Sequence, residues 1–191
     1  MVSHADATLN LASLLKTSPA RGGEDEVSGE GLLQPSAALL EHSGITLAGP
    51  LDWQLTVRRA GGENDFLLDG EVSGTVVLEC RRCLTEVEAD VAADLLYAMA
   101  YRASVKGLKL TEDAESGEIL LFGQPEVDFA ELLTEVLAVD LPLAVLCQEE
   151  CRGLSEAGVN LNEHPEAAGD EARENEQESP FKSLKDIKLE G

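Results

Sequence analysis

Four cysteines fall in two close pairs, Cys80-x2-Cys83 and Cys147-x3-Cys151. Zinc takes four thiolate or imidazole ligands in a tetrahedron, and a spacing of two to four residues lets a single turn supply two of them. The long separation between the pairs would let a metal tie together two distant segments of a small fold. Two other readings stay open. The thiols can be idle or simply buried, or Cys80-x-x-Cys83 can be a redox pair, although no thioredoxin-like strand and helix follow it. Arg81 and Arg82 lie inside the first pair, where they either offset the negative charge that four thiolates leave around a dication or contact a phosphate or carboxylate.

Two further basic groups stand out in an acidic chain. Arg102, Lys106 and Lys109, with Tyr101 beside them, form either an RNA or partner contact or a solvated loop. Lys182, Lys185 and Lys188 line one side of a terminal segment that Phe181 and Leu184 would anchor, either as a partner-recognition helix or as a cap on the chain's own domain. Signals for catalysis are weak. His4, His42 and His164 have no nucleophile motif beside them, with His164 a remote candidate for a metal ligand. There is no phosphate-binding glycine loop, no Gly-x-Ser-x-Gly and no His-Glu-x-x-His. A non-catalytic protein without a small-molecule substrate is expected.

The chain has 191 residues, room for one ordinary domain and tails, and is 43% hydrophobic, enough for a core. It lacks an apolar run long enough to span a bilayer, and its first residues do not read as a secretory signal. A cytoplasmic location is therefore expected, where thiols stay reduced and metal is favoured over disulfide. Fourteen basic residues face 37 acidic ones, a formal charge of −23. Nucleic acid is repelled by such a surface except at a local basic patch, because binding it requires Lys and Arg to displace counterions.

The elements that position these residues follow from periodicity. Residues 1–16 read as a docking segment, a short helix or strand with Leu11, Leu14 and Leu15 on one helical face. Residues 17–43 are rich in Gly, Ser and Pro and read as a flexible loop. A single α+β domain is expected over 44–162. In it Leu51, Trp53, Leu55 and Val57 alternate with polar residues, and Phe66, Leu68, Val72, Val76 and Leu78 do so in a longer strand. The glycines at 70 and 74 suggest a bend or bulge there. Alternation resumes at Val87, Ala89, Val91, Ala93 and Leu95, which makes a long antiparallel hairpin with Cys80 and Cys83 at its tip. Residues 102–117 read as a loop, followed by a short strand at 118–122. One amphipathic helix is expected from Asp128, which can cap it, with Phe129, Leu132, Leu133, Val136 and Leu137 on its buried face. Residues 163–178 read as a flexible, disordered acidic linker and 179–191 as a short amphipathic helix. The expected fold is thus mainly an antiparallel sheet with a long hairpin and one packed helix.

Taken in order, these segments resemble the bacterial and plastid YceD family. The likeness rests on Val77-Leu78-Glu79-Cys80-Arg81-Arg82-Cys83-Leu84, on Val127 to Leu133, and on Asp140-Leu141-Pro142-Leu143-Ala144-Val145-Leu146-Cys147. It continues through Cys151-Arg152-Gly153-Leu154, Asn160-Leu161-Asn162 and Ser179 to Lys185, with Leu9 to Leu15 also similar. Many relatives carry a further Cys-x-x-Cys after the Gly-Leu, where this chain has Ser155-Glu156-Ala157-Gly158. The resemblance implies a role in accumulation of large-subunit ribosomal RNA, hence in ribosome assembly. A −23 protein in that setting suits a basic ribosomal protein or assembly factor, with pre-ribosomal RNA contacted only through local basic patches. The other reading is a zinc- or thiol-based regulatory binding protein unrelated to ribosomes, and an RNA hydrolase comes third.

Overall fold

The computed structural model describes residues 3–4, 6–16, 25–62, 64–113 and 117–168. The expected terminal helix at 179–191 and the linker from 169 onward lie outside the described residues, as do Phe181, Lys182, Leu184 and Lys185. The fold is mostly β-sheet with few helices, an α+β arrangement. It divides into two compact units. The first comprises residues 1–77 and 88–143, the second residues 78–87 and 144–191.

Alternating apolar residues form the sheet of the first unit. The strands are β1 (Ser3–His4), β2 (Thr8–Asn10), β3 (Glu26–Leu33), β4 (Leu51–Arg59), β5 (Asp65–Glu79), β6 (Glu86–Tyr101), β7 (Leu108–Asp113), β8 (Gly117–Phe122) and β9 (Glu126–Asp128). Seven of them lie in the order β1-β3-β4-β5-β6-β8-β7, and β2 pairs separately with β9. The β3–β4, β4–β5, β7–β8 and β2–β9 pairings are antiparallel, while β1–β3 and β6–β8 are parallel. Leu51, Trp53, Leu55 and Val57 of β4 are buried, as are Phe66, Leu68, Val72 and Val76 of β5 and Val91, Ala93 and Leu95 of β6. The long hairpin read from period two is thus present.

Residues 17–43 do not form one long loop. Within them β3 pairs with β4 from Glu26↔Arg58 to Leu33↔Leu51, and α2 (Ala37–Ser43) follows. The glycines that suggested a loop have other duties. A Cβ on Gly29 would strike the side chain of Leu9 and come within 3.2 Å of the Trp53 ring, so the strand needs a residue without a side chain there. Ser36 caps α2 by accepting the Leu39 amide at 3.3 Å, and Gly44 ends it in the left-handed region. Residues 102–117 are likewise a loop only as far as Gly107, since β7 begins at Leu108. The β4–β5 register runs without interruption past Gly70, so that glycine marks no bulge; a Cβ there would collide with the Gln54 carbonyl.

The N-terminal segment supplies both β2 and α1 (Ala12–Lys16). Its Ala7, Leu9, Leu11 and Leu14 are buried, and the Arg59 guanidinium donates to the Leu14 carbonyl. The amphipathic helix is α3 (Ala130–Val139), which buries Leu132, Leu133, Thr134 and Leu137. The Asp128 carboxylate accepts the Ala130 amide at 2.9 Å, but the capping position itself falls to Phe129, fully buried in the core. Truncating Leu133 to Ala should cost about 2–5 kcal/mol, because the whole side chain is lost from a packed interior. The same change at Val139, which is 85% exposed, should stay within about 0.5 kcal/mol. Urea denaturation of both variants checks this.

Candidate metal centre

The second unit consists of the hairpin turn with its flanking strand ends and the segment after α3. In the turn, the Cys80 amide donates to the Thr85 carbonyl at 2.8 Å and the Leu84 amide to the Cys80 carbonyl at 2.9 Å. Leu84 takes up the left-handed region at φ 60°, as no other non-glycine described residue does. Beside the turn runs Val145, bridged to Cys80 and accepting the Arg81 amide at 2.9 Å. The chain then folds back, with the Cys151 amide on the Gln148 carbonyl at 3.1 Å, and closes a small turn between Leu154 and Asn160.

These connections bring all four cysteine sulfurs within 4.8 Å of one another. All are free thiols; Cys80, Cys83 and Cys151 are buried and Cys147 is exposed as a residue. The close contacts cross between the pairs: Cys80 Sγ to Cys151 Sγ is 3.7 Å, and Cys83 Sγ to Cys147 Sγ is 3.5 Å. Zinc–sulfur bonds of about 2.3 Å in a tetrahedron set the sulfurs roughly 3.8 Å apart. The observed spacing therefore matches a closed four-thiolate polyhedron, and the absent third cysteine pair does not leave the set short.

Polar donors point at the sulfurs. Burial raises the Cys80 thiol, but amide hydrogen bonds from Cys147, Cys83 and Arg82 outweigh it and bring it down to about 6. The Thr85 hydroxyl and amide lower Cys83, with a sulfur–oxygen distance of 3.3 Å. Asn162 donates its amide NH2 to Cys151 Sγ at 3.3 Å. Cys147 moves the other way, up to about 12, through desolvation and then the neighbouring sulfurs of Cys83, Cys151 and Cys80. Negative charge on one sulfur disfavours ionisation of the next, which adds to the upward shift of Cys147. A divalent metal bound by Cys80, Cys83, Cys147 and Cys151 would take the place of the thiol protons.

Several residues of this surround carry no sequence signal of their own. Asn162 also accepts from the Arg152 amide at 2.8 Å and from Gln148 Nε2 at 3.0 Å, and donates to Asn160 Oδ1 at 2.9 Å. Asn160 reaches Thr85 at 3.4 Å. Their outer position around the sulfurs emerges only from the fold, though the Asn-x-Asn spacing could have hinted at it. Gly153, at φ 81°, sits where a Cβ would come 3.1 Å from the Arg82 carbonyl.

The arginines of the first pair separate in role. Arg82 donates to the carbonyls of Cys151 at 2.9 Å and Glu149 at 3.3 Å, tying one cysteine segment to the other. Arg81 is exposed and has no side-chain partner among the described residues. Arg102 donates to the carbonyl of its neighbour Tyr101 at 2.8 Å, whereas Lys106 and Lys109 line a cavity of the first unit. His164 pairs with Glu166 at 3.2 Å and stands outside the cysteine cluster.

A mostly β, α+β fold with a second unit gathered around four cysteines is the class that these features define. The family model described as "Large ribosomal RNA subunit accumulation protein YceD" matches residues 68–188, and the chain belongs to that family. An uncharacterized protein of Mycobacterium leprae (strain TN) is 30% identical over 138 residues, which make up 70% of this chain and 61% of that protein. The chain thus spans less than two thirds of that relative's length. No solved structure matches. Among the described residues no helix is long and apolar enough to cross a membrane.

Backbone geometry around the cysteines gives a test. Replacing Leu84, 57% exposed, with Gly should stabilise the protein by about 0.5–1 kcal/mol, since a side chain gains little there and carries the cost of a left-handed conformation. Gly153→Ala should do the opposite and cost more than about 1 kcal/mol. Thermal melts under reducing conditions would show the two opposite shifts.

Proposed function

We propose that this protein is a non-catalytic factor supporting large ribosomal subunit assembly, and with it ribosomal RNA accumulation, by binding a basic ribosomal protein or assembly factor. Membership of the YceD family carries this reading. The formal charge of −23 supports the choice of a basic partner, because attraction between opposite charges speeds encounter while like charge disfavours direct coating of RNA. Ribosomes lie in the cytoplasm, which suits a protein with four free thiols. Zinc held by Cys80, Cys83, Cys147 and Cys151 would serve as a structural staple of the second unit; four protein ligands leave no open position for substrate.

Two measurements bear on this separately. Metal analysis of protein purified under reducing conditions should find about one zinc per chain, and Cys83→Ser should lower both zinc content and melting temperature. A metal-free protein that melts normally would remove the staple. Independently, the chain should co-sediment with large-subunit precursors in a gradient, and its depletion should lower the level of large subunits. Absence from every precursor fraction, with subunit levels unchanged, would defeat the assembly reading.

A further inference from the structure

The edge of the sheet has features that the cysteine cluster does not use. β7 is the last strand of the order and among the described residues has one neighbour, β8, so every second residue between Leu108 and Asp113 turns its N–H and C=O away from the sheet. Beside that edge lies a cavity of about 680 Å³, wholly within the first unit. Its floor includes Leu39, Leu110, Leu120 and Leu132. Leu120 and Leu132 belong to the core, while Leu110, across the ladder from Leu120, is 47% exposed. The core face of the sheet therefore runs out under β7 with apolar surface uncovered. One wall is formed by Glu126 and Asp128 of β9 and Glu131 and Glu135 of α3, against only Lys106 and Lys109 on the strand side.

An unpaired strand edge, a leucine floor and a carboxylate wall ask for one kind of occupant. We infer that an extended, Arg/Lys-rich segment of a partner protein adds to β7 as a further strand and lays its alternate basic side chains in this cavity. The ladder supplies backbone hydrogen bonds along about 20 Å of strand. The methylene stems of Arg or Lys cover Leu110 and the half-buried Leu39 while their charged ends reach the carboxylates of α3 and β9. A neutral apolar strand would leave those carboxylates without counter-charge, and an acidic one would be repelled. This inference rests on the proposed function, whose basic partner it gives a place and a mode of binding.

The probe is an acetylated and amidated (Arg-Thr)5 peptide, with (Glu-Thr)5 and an (Arg-Thr)5 peptide N-methylated on every backbone amide as controls, titrated into the full-length protein. Full N-methylation keeps every charge and removes every N–H that pairing with a strand edge needs. The unmodified Arg peptide should bind at least about tenfold more tightly than its methylated form, and hydrogen exchange should show new protection at residues 108–113. Glu131→Gln with Glu135→Gln should weaken binding about tenfold, whereas Glu71→Gln with Asp94→Asn, two charges elsewhere on the sheet, should change it little. Equal binding of the methylated peptide, equal effects of the two charge pairs, or protection elsewhere would overturn the inference. So would a self-associated protein whose β7 amides are already protected, because the edge would then belong to a second copy. Failure here, with co-sedimentation of the wild-type chain intact, removes the groove and leaves the assembly reading standing; loss of co-sedimentation removes that reading itself.

Discussion

Four sulfurs within 4.8 Å of one another form an electrostatic problem before they form a site. Two unit charges 4 Å apart cost about 4 kcal/mol at the effective dielectric of a protein surface, and four thiolates would incur several such terms at once. The cluster answers by dividing its protons. Cys80, served by three backbone amides that outweigh its desolvation, is pulled down to about 6, while Cys147, desolvated and facing three other sulfurs, is pushed up to about 12. A dication removes the conflict by replacing protons with charge of the right sign at the centre of the set. The contact between Cys83 Sγ and the Thr85 hydroxyl and the hydrogen bond that Asn162 donates to Cys151 Sγ then serve as an outer layer that holds the sulfurs in place.

The second unit depends on that arrangement because it has little else. Its buried apolar side chains among the described residues are Cys80, Cys83 and Cys151, with Val87 and Leu154 packed against them. Such a cluster buries far less apolar area than a self-sufficient domain needs, and small units of this kind ordinarily rely on a metal or a covalent link. Local strain points the same way. Leu84 is held in the left-handed region although its side chain is mostly exposed, a conformation that persists only where its surroundings over-determine it. Here those surroundings are the Cys80–Thr85 backbone bonds and the Arg82 bridge to the Cys151 carbonyl.

What could be read in advance divides along physical lines. Period-two alternation placed β4, β5 and β6 because one face of each meets the core and the other meets water. Cysteine spacing placed the thiols because one turn can present two sulfurs. β3 escaped notice because glycines stand at Gly29, where Leu9 and Trp53 leave no room for a side chain, and at Gly31, and alternation cannot be seen in residues without side chains. Within and just after the segment read as a loop, Ser36 and Gly44 are the two caps of a helix. Asn160 and Asn162 were invisible as functional residues for another reason: their value lies in contacts with Thr85 and Cys151, far away in sequence, which only a closed fold brings within reach.

The distribution of positive charge sharpens the meaning of the acidic total. Arg58 is engaged with Asp69 at 3.2 Å, Arg59 with the Leu14 carbonyl, and Arg82 with the carbonyls of Glu149 and Cys151. These three cations are bound up in holding the fold together, so they add little to any basic surface a nucleic acid could use. Among the described residues, exposed carboxylates are spread over strands, helices and loops, and their attraction for a basic partner would reach about one Debye length, roughly 8 Å at physiological salt. That field gathers partners without selecting among them. Selection requires contacts that operate only at close range, and in the inferred mode the β7 edge, Leu110 and the carboxylates of β9 and α3 would supply them: charge would bring a basic segment to the protein, and backbone pairing would decide whether it stays.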